Sequence, residues 1–282
     1  MASTRWSSEL NFLLSEVLYA SMSHSDEIKI TVPSPADYAA CAVLANTVGD
    51  EMLQRLEWVK IEPRVVLDVG CGTGNFTQKL QRRYPVAQVM GIDLAYPMLK
   101  FAREQAPKNL FSCADAGELP VRDSSVDLIF ANLILPWCGD VKKLLCEWRR
   151  VLRPDGLLVF TALGPDTLKD FRSVLNEKII PACEDMHELG DALALGKFAE
   201  PVMDVDYFTL SYRSLRKFLD EMEVSGMLMP VDEAVFVGVS RFDAVFEVVY
   251  GHAWRPSAGA DHVADEEGVV RIPLAHLRGR RV

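Results

Sequence analysis

At 282 residues, 49% hydrophobic and 25% charged, the chain is long enough to bury a full core and has the composition of a globular protein built as one large α/β domain with an insertion. Its net charge of −10 disfavours nucleic acid or an anionic membrane as the main partner, leaving only a local basic patch for such contacts. Six cysteines with no C-x-x-C pair among them argue against a metal site and point to buried thiols in a reducing, cytoplasmic setting. No apolar run reaches the roughly 18 residues that would span a bilayer.

In chain order, Trp6, Leu10, Leu13, Leu14, Val17 and Leu18 recur at helical spacing, with Glu9, Asn11 and Glu16 interrupting any secretory apolar region. Residues 1–35 are therefore read as an amphipathic helix and lid segment that docks on the protein or on the second subunit of a homodimer, with a membrane or targeting role as the other reading. Next comes "VVLDVGCGTGNF", residues 65–76, a short β-branched run that reads as a buried strand. Three glycines on alternate positions, Gly70, Gly72 and Gly74, follow it. Phe76, Leu80 and Tyr84 then keep helical spacing up to Pro85. The loop thus joins a strand to a helix, where backbone N–H groups face a ligand. Alternation continues with strands at 87–93, 110–115 and 126–133, a helix at 98–105, and a helix capped by Asp140 with Val141, Leu144, Leu145, Trp148 and Leu152 on one face. A turn "RPDG" (153–156) leads into a strand at 157–163. Such alternation implies a doubly wound, mostly parallel sheet with its ligand at the carboxyl ends of the strands. From Arg255 onward the composition shifts to Gly, Ala and acids and then to arginines, so residues 255–282 read as a loosely held extension.

Dinucleotide sites favour G-x-G-x-x-G because a pyrophosphate lies against the helix. Here the spacing is G-x-G-x-G with Asp68 just ahead, which suits a ligand with a positively charged end. Asp93 ends the second strand, where a carboxylate can accept both ribose hydroxyls. Asp115 follows the third strand and can take the exocyclic amine of adenine. An amino-acid end, a ribose and an adenine together describe S-adenosylmethionine. Cys71 in the loop, Leu94, Ala116 and Asn132 near the strand ends, and Met98 at the start of the following helix are further candidate cofactor contacts.

With these motifs, residues 65–163 resemble a class I S-adenosylmethionine-dependent methyltransferase. The segments "PWCGDVKKLL" (136–145), "WRRVLRPDGLLVFTALGPDTLKDFR" (148–172), "DMHELGDAL" (185–193), "PVMDVDYFTLSY" (201–212) and "FEVVYGHAW" (246–254) narrow the resemblance to the malonyl-acyl-carrier-protein O-methyltransferases of biotin synthesis. That resemblance implies a seven-stranded Rossmann-like sheet over residues 36–254, with the cofactor half at about 60–163, a helical insertion at about 177–232 and an N-terminal helical lid. It also implies methyl transfer to the free carboxylate of malonyl-acyl-carrier protein, with Tyr38, Trp137, Arg172 and His187 on the acceptor side. Pro33, Pro35 and Ala39 around Tyr38, and Pro136 before Trp137, depart from the family's usual sequence. Each acceptor-side residue has a second reading. Trp137 walls the acceptor pocket or packs in the core; His187 orients the acceptor or is structural, as His252 is expected to be; Arg172 meets a carboxylate substrate or pairs with Asp166 or Asp170. Arg213, Arg216 and Lys217, at i, i+3 and i+4, form either a docking face for the acidic carrier protein or a solvated helix face. A carboxylate acceptor is already ionised at pH 7 and needs no general base. Three other readings stay open: protein-arginine hydroxylation, as in relatives on the same fold, an assembly protein that binds the cofactor without turnover, and a methyltransferase acting on another small carboxylate.

Overall fold

The computed structural model describes residues 34–169, 183–226 and 242–257. The expected N-terminal amphipathic helix, Arg172, Asp170 and most of the C-terminal extension lie outside these residues.

One sheet organises the chain. Its strands are β1 (Val65–Val69), β2 (Gln88–Asp93), β3 (Leu110–Cys113), β4 (Val126–Ala131), β5 (Leu152–Leu163), β6 (Ala199–Tyr212) and β7 (Phe242–Trp254), in the order β3-β2-β1-β4-β5-β7-β6. The pairs among β1 to β5 are parallel, and β7 runs antiparallel between β5 and β6. Alternation along each central strand feeds two cores. Val66, Leu128, Phe130, Leu157 and Val159 face one side, while Leu67, Ile129, Leu158 and Phe160 face the other.

Helices cover both faces. α1 (Pro35–Cys41) starts on Pro35, whose missing N–H costs nothing at a helix's first position. α2 (Val43–Arg55) buries Leu44, Val48 and Met52 at four-residue spacing. It then lies so close to α3 (Asn75–Arg83) that a Cβ at Gly49 would stand 2.1 Å from the Phe76 ring. Asn75 donates to Asn46 at 2.6 Å and Lys79 pairs with Asp50 at 2.5 Å, so the segment before β1 is tied across the helix that follows the glycine loop. α4 (Tyr96–Gln105) flanks β2 and β3, and α5 (Val141–Val151) is capped by Asp140, which accepts from the N–H groups of Lys142 and Lys143.

Three details differ from the sequence reading. Leu152 opens β5 rather than closing a helix face, and "RPDG" lies inside that strand as a bulge between Leu152 and Leu157. Asp155 there adopts φ 61°, and the backbones of Asp155 and Gly156 bond to Arg255 beyond β7. The third detail is the region at about 177–232, which supplies α6 (Met186–Leu195) and α7 (Leu215–Val224) but also the edge strand β6 between them. Met203 and Val205 pack on one core and Phe208 and Leu210 on the other. A strand that changes faces midway shows no single alternation for the eye to find.

Candidate functional site

A cavity of about 1090 Å³ opens at the carboxyl ends of β1, β2 and β4, roofed by α1 and the end of α7. The glycine loop forms its floor. Gly70, Gly72 and Gly74 have φ of 75°, 51° and 78°, a region that side chains rarely adopt. Their surroundings differ. A Cβ at Gly70 would meet Ile134 at 2.5 Å and one at Gly74 would meet Ala102 at 2.9 Å, whereas one at Gly72 would come no nearer than 3.5 Å, to the Tyr38 ring. Gly70 and Gly72 line the cavity. Gly74, expected to touch ligand, instead caps α3 and packs behind the loop.

The three strand-end acids line the cavity together. Asp93 accepts from Gly72 N–H on one oxygen and from Ala95 N–H on the other, both at 2.8 Å. A carboxylate oxygen has two lone pairs, so each retains acceptor capacity. Burial raises the Asp93 pKa, and those backbone bonds oppose the rise. Asp68 is 2% exposed and accepts from the Thr77 hydroxyl at 2.5 Å. Burial pushes its pKa up to about 7 against the Thr77 hydrogen bond, with Asp93 adding a like charge. Asp115 accepts from Gly117 N–H at 2.6 Å, which tightens its own loop. α5 holds that loop from behind. Trp148 donates to Ala116 O, Glu147 accepts from Leu119 N–H, and Arg150 donates to Leu119 O and Val121 O.

The other expected contacts divide. Cys71, Leu94, Met98, Ala116 and Asn132 all face the cavity. Asn132 is already engaged, donating to Ala45 O and accepting from the Thr161 hydroxyl, both at 2.8 Å. Tyr38 hangs from α1 over Gly72, and burial, then Asp93, then Cys71 push its pKa up to about 12, so its hydroxyl keeps its proton. Trp137 is 48% exposed on a short 3-10 turn and sits against Gly226, which makes it a cavity wall rather than a core residue. His187 is not brought to the cavity: it is exposed in the first turn of α6, its N–H held by Asp185 at 2.8 Å. His252 is partly buried in β7, which lowers its pKa. Asp166, one partner considered for Arg172, pairs with Lys169 at 2.8 Å. Arg213, Arg216 and Lys217 are exposed, but Arg213 precedes α7 and Arg216 pairs with Asp220 at 2.8 Å.

Sequence reasoning missed Glu221 and Cys41, which also line the cavity. Neither belongs to a motif, and they reach the cavity only because α1 packs on α7. Among the described residues no group of three or more His, Cys, Asp or Glu could hold a metal ion, and no helix is long and apolar enough to cross a membrane.

Comparison with known proteins gives three results. The family profile described as "Methyltransferase domain" matches residues 67–160, which carry the loop and all three acids. Two proteins named malonyl-[acyl-carrier protein] O-methyltransferase, from Methylovorus sp. (strain MP688) and Laribacter hongkongensis (strain HLHK9), are 36% and 38% identical to this chain. The alignments cover 78% and 79% of this chain, and 85% and 86% of those proteins. Among solved structures, Haemonchus contortus phosphoethanolamine N-methyltransferase 2, in complex with S-adenosylhomocysteine, is 18% identical with a TM-score of 0.53, over 74% of this chain and 53% of that one, so this chain spans about half its length. A [4+2]-cyclase is 22% identical with a TM-score of 0.52, over 76% of this chain and 81% of that one. Methyl transfer and ring closure thus share this fold, and the fold alone does not select the chemistry.

Proposed function

Because this chain belongs to the malonyl-[acyl-carrier protein] O-methyltransferase family, we propose that it transfers the methyl group of S-adenosylmethionine to the free carboxylate of malonyl-acyl-carrier protein, a step of biotin synthesis. The observation that carries the reading is identity above 30% over more than three quarters of the chain with relatives of that name. The cavity's donors and acceptors fit the cofactor. Gly72 leaves its side of the loop open, Asp93 keeps spare lone pairs beside it for two ribose hydroxyls, and Leu94 and Met98 offer apolar surface to a base.

When bound, S-adenosylmethionine supplies a sulfonium methyl group that the acceptor's carboxylate oxygen takes by in-line displacement, the carbon–sulfur bond leaving its electron pair on sulfur and no proton changing hands. The protein's part is binding, alignment and exclusion of water. In this reading Asp68 holds the cationic amino-acid end, Asp93 the ribose and Asp115 the adenine amine. The protonated Tyr38 hydroxyl, above Gly72, donates to the acceptor, and Trp137 closes the side wall. Arg213 and Lys217 provide local positive charge for an acidic carrier protein. The test is incubation with labelled S-adenosylmethionine and malonyl-acyl-carrier protein, followed by mass spectrometry for a base-labile methyl ester. Proven cofactor binding without ester would overturn the reading.

A further inference from the structure

The cavity wall carries more negative charge than cofactor binding uses. Besides Asp68, Asp93 and Asp115, it includes Glu221 and Glu223 from the C-terminal half of α7, and among the described residues that line it there is no lysine, arginine or histidine. Glu221 is partly buried and stands where α7 meets α1, the helix that carries Tyr38 and Cys41. The Cys41 thiol pKa is raised first by burial and then by the charge of Glu221. Burial raises the Glu221 pKa, and the nearby Tyr212 hydroxyl opposes that rise.

A methyl acceptor in this cavity brings at least one carboxylate of its own, which the cofactor's sulfonium attracts. A second carboxylate at the acceptor's far end would have to sit in a wall of like charge, partly shielded from water. We propose that Glu221 makes the cavity a charge filter, admitting a carboxylate whose far end is a neutral thioester or ester and turning away the dianion of a free dicarboxylic acid. The filter rests on the methyl-transfer reading above and defines the acceptor class within it.

The experiment compares kcat/KM for three acceptors sharing one acyl group: the N-acetylcysteamine thioester of malonate, monomethyl malonate and free malonate. Each is measured with the wild type, Glu221→Gln and Glu221→Asp, and S-adenosylmethionine affinity by calorimetry reports an intact cavity. The wild type is expected to esterify the two blocked acids and discriminate strongly against malonate. Glu221→Gln should narrow the preference for monomethyl malonate over malonate, read as the ratio of their kcat/KM values, roughly tenfold, and Glu221→Asp should keep the discrimination. An inhibition assay on the wild type needs no variant: monomethyl malonate should compete with the thioester at far lower concentration than malonate does. Equal use or equal inhibition by malonate, or an unchanged preference in Glu221→Gln, overturns the filter alone. No ester from any acceptor, malonyl-acyl-carrier protein included, overturns the methyl-transfer reading and the filter with it.

Discussion

Asp93 works in two directions, holding the N–H groups of Gly72 and Ala95 on one side and presenting spare lone pairs on the other. Removing it forfeits two charge-assisted bonds to a ribose, each worth about 1.5–3 kcal/mol. Asp93→Ala should therefore weaken S-adenosylmethionine binding by about a hundredfold or more, and equal affinities in a calorimetric titration would remove the ribose assignment. Asp68 adds a proton linkage. Its folded-state pKa of about 7 lies above the ordinary 3.8, so between those values the folded protein holds a proton that the unfolded chain has lost. Asp68's contribution to stability accordingly falls as pH rises through that window and is absent above it. A cationic ligand end favours the carboxylate, so cofactor binding near pH 6 to 7 should release a proton; heats independent of buffer ionisation enthalpy would refute this. Tyr38→Phe should lower kcat with little change in cofactor affinity, and an unaltered kcat would reduce Tyr38 to packing. The strand-end acids were legible because a parallel sheet delivers the residue after each strand to one edge. The placement of Gly74 behind the loop and of His187 away from the cavity was not legible, because a motif position says nothing about which side of a loop a residue faces, or about where an insertion's helix docks.

At the scale of elements, the approach of α2 to α3 depends on Gly49 lacking a Cβ. Gly49→Leu should destabilise the fold by about 1–3 kcal/mol as overpacking usually does, and Phe76→Leu in the same chain should restore part of that loss. Urea unfolding of the two single variants and the double variant measures the coupling. Additive losses would mean that the two positions do not press on each other. Strands β1 to β5 and helices α3 to α5 were readable from period and caps, since each keeps one face to one core throughout. β6 was not, because its inward residues swap faces between Val205 and Phe208. The contact of α1 with α7 was equally invisible, and with it the position of Glu221, since it joins segments far apart in sequence that share no pattern.

The whole molecule carries a net charge of −10, so an acidic carrier protein has to find a locally basic surface. With Arg216 paired to Asp220, the expected face reduces to Arg213 and Lys217. Reversing both charges should raise KM for malonyl-acyl-carrier protein severalfold while leaving a small malonyl thioester unaffected, and added salt should have the same effect. An unchanged KM would move docking elsewhere. The sheet order has a further consequence, for the chain as it is made. β7 lies between β5 and β6 and follows both in sequence, and its Glu247 accepts from Asp166 N–H in the turn after β5 and presses on Gly164. During synthesis the glycine loop and its helix are complete while β5 and β6 still present bare edges to solvent, awaiting a strand that the ribosome has not yet released. Unpaired edges of this kind join readily to those of another chain. The interval between making β6 and making β7 is therefore the period in which the newborn protein most needs shielding from its neighbours.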